Sequence, residues 1–110
     1  MLTAIYLLLL HFIGDFICQT DAMALNKSKK WLALLSHVAA YTAVIFVGMG
    51  FNWTFAAITF GAHFATDAVT SRINARLWAA NERHWFFVGI GADQWLHALQ
   101  LILTAYWMGL

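Results

Sequence analysis

The sequence contains no proline and very little charge: lysine, arginine, aspartate and glutamate make up only 10% of 110 residues. The absence of proline means that no helix is broken by the residue that most often ends one. A soluble domain carries roughly a quarter of charged residues, so a water-covered globular surface is excluded. The single cysteine, Cys18, excludes an intramolecular disulfide. A glycine-rich phosphate loop, a soluble-type nucleophile motif and a nucleic-acid-binding face are also missing.

Hydrophobic residues are abundant instead, at 63% of the chain. They form four long runs, at about residues 2–19, 31–49, 53–70 and 86–108. A helix of about 20 apolar residues crosses the hydrocarbon core of a bilayer, and residues 71–85 have the mixed pattern of an amphipathic interfacial helix. The sequence therefore predicts an all-α polytopic membrane protein in a single domain, residues 1–110. It has four transmembrane helices and a short interfacial amphipathic helix between the third and fourth.

The basic residues predict the orientation of these segments. They occupy two connections only, as Lys27, Lys29 and Lys30 and as Arg72, Arg76 and Arg83. Basic loops are retained on the cytoplasmic side of a membrane. Both basic connections are therefore expected in the cytoplasm and both termini outside, in a multi-pass arrangement with the lipid bilayer as partner.

Seven ionisable residues lie inside the hydrophobic runs, and we call them the His/Asp cluster: His11, Asp15, His37, His63, Asp67, Asp93 and His97. Six of them form three pairs spaced four residues apart, and this spacing places both side chains on one helix face. Counted from the basic connections at about 1.5 Å per residue, all seven fall within two adjacent helical turns. Such residues face the interior of a bundle because lipid does not compensate their charge. We expect all seven to share one cavity in the cytoplasmic half.

Imidazole and carboxylate groups are the usual protein ligands of zinc and of other divalent first-row metals. No lysine or arginine lies within the runs to compensate the carboxylates, so we predict that the whole cluster binds divalent metal, with zinc as the first candidate. Four histidines and three aspartates exceed the needs of one tetrahedral ion. The surplus indicates one or two ions, with Asp15 and Asp93 as catalytic groups that serve as ligand or base for a metal-bound water.

Several motifs resemble a known family. They are the string HFIGDFICQTDAMALNKSK at 11–29, the isolated His37, HFATD at 63–67 and DQWLH at 93–97. In order and spacing they are similar to the family of small bacterial and phage membrane proteins catalogued as domain of unknown function 3307. The resemblance covers nearly the whole chain and implies a bacterial inner membrane. The three lysines are expected first to set the topology and contact anionic lipid, and the resemblance makes Lys27 the strongest of them as the alternative, a substrate-phosphate contact. Gln19 is the other predicted substrate-binding residue. More distantly, the pattern resembles bacterial membrane-bound metal-dependent hydrolases.

Two classes of function remain open. In the first, the protein is a membrane-embedded metal-dependent hydrolase of a lipid-like ester or phosphoester. In the second, it is a non-enzymatic membrane subunit whose cluster is structural or handles protons or metal ions. Haem would explain the histidines but not the three carboxylates beside them. A stripe of small residues, Ala57, Gly61 and Ala65, indicates close helix packing or a homo-oligomer surface.

Overall fold

A computed structural model describes all 110 residues and contains helices but no strand. The five α-helices are α1 (Leu2–Phe12), α2 (Asp21–Asn26), α3 (Trp31–Gly48), α4 (Trp53–Ala79) and α5 (Arg83–Trp107). α1 continues directly into a π-helical turn, Ile13–Ile17. The all-α prediction is confirmed.

The four long helices form a ring. α1 packs against α3 and α5, and α4 also packs against α3 and α5, whereas the diagonal helices do not pack against each other. The start of α1 lies beside the end of α3, where the Tyr6 hydroxyl donates a 2.7 Å hydrogen bond to the Gly48 carbonyl. Neighbouring helices therefore run antiparallel, and both basic connections lie at one end of the bundle.

A short turn joins α3 to α4. Gly50 and Phe51 adopt the left-handed conformation, with φ of 70° and 63°. Asn52 then caps α4, because its side-chain oxygen accepts a hydrogen bond from the Phe55 backbone N–H. This cap lets the next helix begin at once.

The predicted separate interfacial helix at 71–85 is wrong. α4 continues without a break to Ala79, since the stretch after Gly61 contains neither glycine nor proline. The chain turns only at Asn81, where φ is 65°, and α5 begins two residues later at Arg83. The only short helix is α2, in the connection between the first and second hydrophobic segments. Its first turn is capped by Thr20.

Two of the helices, α3 and α5, are long and apolar enough to cross a membrane, and Leu2–Ile17 is a shorter apolar helix. The prediction of four transmembrane helices thus has direct support for two. α4 is long enough but more polar, since it carries His63, Asp67 and a basic final third.

The bundle has an unusually polar interior and an apolar outer surface. Of 110 residues only 20 are buried, and nine of these are polar or ionisable. Large hydrophobic side chains lie on the outside, among them Leu2, Leu9, Trp53, Tyr106 and Trp107. The apolar core occupies the half near the termini and consists of Leu7, Leu10, Tyr41, Ile45, Phe55, Leu101 and Ala105. The His/Asp cluster fills the half nearer the basic connections.

Candidate metal centre

All seven residues of the His/Asp cluster are buried, none with more than 7% of its surface exposed. They come from α1, the π-helical turn, α3, α4 and α5. Asp15 is the central residue of the π-helical turn, a distortion that is frequent at functional sites. The four helices thus bring together the side chains that the sequence pattern places on their inner faces.

Four of these residues form a compact set of ligand atoms, which we call the closed group: Asp15, His37, His63 and Asp67. His37 Nε2 lies 2.9 Å from Asp15 Oδ1 and 3.2 Å from Asp67 Oδ2. His63 Nε2 lies 3.6 and 3.3 Å from the same two oxygens. The two Nε2 atoms are 3.2 Å apart.

These spacings fit a metal ion. A tetrahedral ion with bonds of about 2.0–2.1 Å holds its ligand atoms roughly 3.3–3.4 Å apart. Asp15 Oδ1 has no aligned hydrogen-bond donor even though His37 Nε2 is 2.9 Å away, and the outer Nδ1 atoms of His37 and His63 are also without partners. The closed group could therefore hold a metal ion with only small side-chain movements.

A second set, which we call the open group, consists of Asp15, Asp93 and His97, whose ligand atoms lie within 4.8 Å of one another. His97 Nε2 is 3.2 Å from Asp93 Oδ1 and 2.9 Å from Asp67 Oδ1. The Thr70 hydroxyl donates a short hydrogen bond to Asp93 Oδ1 and fixes this carboxylate. Asp15 belongs to both groups.

His11 lies in the cluster but in neither group, so its role as a metal ligand stays a prediction. Its Nδ1 is 2.8 Å from the Tyr41 hydroxyl and its Nε2 is 2.6 Å from Gln94 Oε1, so neither ring nitrogen is free. The amide nitrogen of Gln94 in turn donates to Asp15 Oδ2 at 2.9 Å and to Asp93 Oδ2 at 3.2 Å. His11 therefore orients the amide that holds these two carboxylates.

Gly14 makes the position of Tyr41 possible. A Cβ atom at residue 14 would lie 2.8 Å from Tyr41 Cδ2, so only glycine lets the phenol ring pack against the π-helical turn. The Tyr41 ring also lies against the His63 ring, with centroids 3.9 Å apart, and His63 stacks on His97 at the same separation. These ring contacts restrict the imidazoles to orientations that direct Nε2 into the cluster.

Lys27 forms an ion pair with a residue of the cluster. Its Nζ lies 3.3 Å from Asp67 Oδ2, so a basic side chain from outside the hydrophobic runs compensates a carboxylate of the cluster. Lys27 lies outside the hydrophobic runs, but it directly follows α2, and this short helix directs the connection back over the bundle. The Thr20 cap, followed by a helix-forming stretch, was the local signal for this fold-back.

A cavity of about 590 Å³ adjoins the cluster between the π-helical turn, α2 and the basic ends of α4 and α5. Its polar side includes both predicted catalytic residues, Asp15 and Asp93, and both predicted substrate-binding residues, Gln19 and Lys27. The apolar side consists of Phe16, Ala24, Leu25, Ala75, Trp78, Ala79, Phe86 and Ile90.

Sequence reasoning did not find two further polar groups of this cavity. Ser71 and Asn74 line it, and their Oγ and Oδ1 atoms are buried without a hydrogen-bond partner. Gln19 Oε1 is in the same condition. Buried polar atoms are normally paired, so three unpaired atoms beside one cavity are unusual, although Asn74 Oδ1 is packed against Gly89 of α5. The sequence predicted a helix at Ser71 and Asn74, but not that this helix continues α4 and so places both residues beside the cavity.

Over residues 3–110 the chain matches the family described as "Protein of unknown function (DUF3307)". The chain belongs to this family. The resemblance predicted from the four motifs is thereby confirmed, although the description of DUF3307 names no activity. No curated protein and no solved structure matches this DUF3307 chain significantly, so the more distant likeness to membrane-bound metal-dependent hydrolases stays a hypothesis.

Proposed function

We propose that this DUF3307 protein is a membrane-embedded, metal-dependent hydrolase of an ester or phosphoester bond in a lipid-like substrate. The observation that carries the proposal is that Asp15 and Asp93 of the His/Asp cluster line a cavity of about 590 Å³. Small-molecule sites have volumes of about 300–1,000 Å³ and combine an apolar lining with a few convergent polar groups. This cavity has both properties.

The outer surface supports a location in the membrane. α3 and α5 are each able to span a bilayer, and α1 and α4 complete the ring because each packs between these two. All four helices then cross the bacterial inner membrane with the basic connections in the cytoplasm and both termini outside. The cavity lies at the basic end, so a substrate would enter it from the cytoplasmic leaflet.

The chemistry follows from which ligands face the cavity. Asp15 and Asp93 line it, whereas His37, His63 and Asp67 do not. A divalent ion such as zinc turns bound water into a nucleophile at neutral pH. Asp15 or Asp93 would then take the proton of this water as it attacks the substrate. His37 and His63, which do not line the cavity, would hold such an ion from the interior of the bundle.

The cavity lining supports a phosphate-bearing substrate with an apolar chain. Lys27 and Lys29 both line the cavity, and lysine ammonium groups are common phosphate ligands. The aromatic and aliphatic side formed by Trp78, Phe86 and Ile90 offers a surface for a lipid chain. The polar headgroup would lie between the lysines and the metal.

The test is turnover by protein purified in detergent with zinc, on a fluorescent phosphatidic acid analogue and on a carboxylic ester of the same chain. Asp93→Asn should lower kcat by a factor of 100 or more, with an unchanged melting temperature. Asp21→Asn is the matched control, because Asp21 is exposed in the first turn of α2. Absence of turnover on both probes by metal-loaded wild-type protein would overturn the proposal.

One contact favours the alternative of a non-enzymatic subunit whose cluster is structural or handles protons or metal ions. The Lys27–Asp67 ion pair, with an N···O distance of 3.3 Å, already compensates one buried carboxylate from within the protein. If the cluster is structural, the purified protein would contain no stoichiometric metal, and Asp93→Asn would lower its melting temperature.

We further propose that the stripe of Ala57, Gly61 and Ala65 is a homo-oligomer surface. All three residues are exposed on α4, and a Cβ atom added at Gly61 would meet nothing within 4 Å. Small residues let two helices approach closely in a membrane. Gly61→Leu should therefore convert a crosslinked dimer in detergent to monomer, and an unchanged crosslinking pattern would contradict this surface.

A further inference from the structure

Asp15 and Asp67 each direct their two carboxylate oxygens to different neighbours. Asp15 Oδ1 faces His37 and His63, whereas its Oδ2 accepts from the Gln94 amide that also binds Asp93. Asp67 repeats this arrangement, because its Oδ2 faces the closed group while its Oδ1 lies 2.9 Å from His97 Nε2. Of the two, Asp15 belongs to both ligand groups, and a carboxylate placed in this way can bridge two metal ions.

We propose that the cluster binds two divalent ions, one in the closed group and one in the open group, with Asp15 as the bridging ligand that both groups share. This inference deepens the proposed function and rests on it only for the role of the second ion. Hydrolytic two-metal sites hold their ions about 3.5–4 Å apart. Two ligand groups that share Asp15, each with ligand atoms within 4.8 Å of one another, are compatible with that separation.

The two ions would differ in affinity and in accessibility. The closed group offers four protein ligands, three of which are at most 1% exposed and do not line the cavity: His37, His63 and Asp67. The open group offers three ligands, and Asp15 and Asp93 line the cavity. Structural zinc sites use four protein ligands, whereas catalytic sites use three and keep one position for water or substrate. The ion in the closed group is therefore the more tightly bound of the two, and the ion in the open group is the one that contacts the substrate.

Hydrogen bonds from neighbouring side chains hold the two carboxylates of the open group, Asp15 and Asp93, in place. Thr70 donates to Asp93 Oδ1, and Gln94 donates to Asp93 Oδ2 and Asp15 Oδ2. Hydrogen bonds of this kind fix metal-binding carboxylates in place. An ion there would bind the phosphate oxygen or the water on the cavity side, next to Lys27.

The test counts ions. Detergent-purified protein is stripped with chelator and titrated with zinc, and bound metal is measured by elemental analysis after dialysis. Wild-type protein and the control His84→Ala should bind two ions per chain, the second at least tenfold more weakly. Asp93→Asn, which preserves side-chain volume, should bind one, with an unchanged melting temperature. In the wild type, manganese should give the electron paramagnetic resonance spectrum of a coupled pair, and in Asp93→Asn that of an isolated ion.

Saturation of the wild-type protein at one ion, or equal stoichiometry in wild type and Asp93→Asn, would overturn the two-ion inference. The proposed function fails in a different way. Two bound ions without turnover of either lipid probe would reject the hydrolase and retain the two-ion centre. Turnover with a single bound ion would reject the two-ion centre and retain the hydrolase. Should Asp93→Asn be unfolded, His97→Ala gives the same comparison, because His97 is a ligand of the open group only.

Discussion

His37 and His63 approach each other at the centre of the bundle, with their Nε2 atoms 3.2 Å apart. They belong to α3 and α4, and their outer Nδ1 atoms have no hydrogen-bond partner. Each ring therefore meets the cluster through one nitrogen, with oxygens of Asp15 and Asp67 within 3.6 Å of both. A cation placed between these atoms would be coordinated by both imidazole rings and both carboxylates.

Metal content is the first prediction. His63→Ala should reduce the zinc that co-purifies with the protein at least tenfold, because it removes one of four ligands of the closed group. His84→Ala should retain the wild-type content, since His84 is exposed at the start of α5. Elemental analysis of both proteins, with melting curves to show that they are folded, checks the prediction. Equal zinc in the two variants would exclude the closed group as a metal site.

Lys27 gives a prediction on substrate binding. Lys27→Met should lower kcat/KM for a phosphate-bearing lipid roughly 10- to 100-fold, the effect of losing one contact to a charged group of about 1.5–3 kcal/mol. Most of the change should be in KM, with the metal content retained. Lys30→Met is the control, because Lys30 is exposed and does not line the cavity. A similar loss in both variants would mean that Lys27 acts only through the general surface charge.

The π-helical turn gives a prediction on stability. Gly14→Ala should lower the free energy of unfolding by about 1–3 kcal/mol, the usual cost of overpacking, because the new Cβ would lie 2.8 Å from the Tyr41 ring. Gly91→Ala should instead leave stability unchanged or raise it by up to about 1 kcal/mol, since its Cβ would meet nothing within 4 Å. Thermal unfolding in detergent compares the two. An equally tolerated alanine at residue 14 would show that Tyr41 is free to move away.

Membrane topology is the fourth prediction. In a Cys18→Ser background, a cysteine at Ser28 should react with a membrane-impermeant maleimide only after the cells are opened, and a cysteine at Asn52 should react in intact cells. The reason is that all six basic residues lie at the end of the bundle that carries Ser28. The reverse labelling pattern would place the cavity on the outer side of the membrane.

Helical periodicity is a local property, and the sequence by itself therefore determined the all-α fold and the inner face of each helix. Residues four apart share a face of any helix, so the pairs His63/Asp67 and Asp93/His97 had to point in one direction together. Their burial followed because the rest of each segment is apolar. The extent of α4 was less predictable, since no residue near Thr70 forces a helix to end or to continue.

Only the tertiary structure decided which atoms meet. The packing of four helices leaves His11 bound to Tyr41 and Gln94, directs His37 and His63 onto shared oxygens, and allows Lys27 to reach Asp67. These contacts depend on interhelical distances, side-chain rotamers and the path of a connection between helices, and a spacing within one helix contains none of this information. For the same reason the cavity beside Asp15 and Asp93, lined by residues far apart in the chain, exists only in the folded bundle.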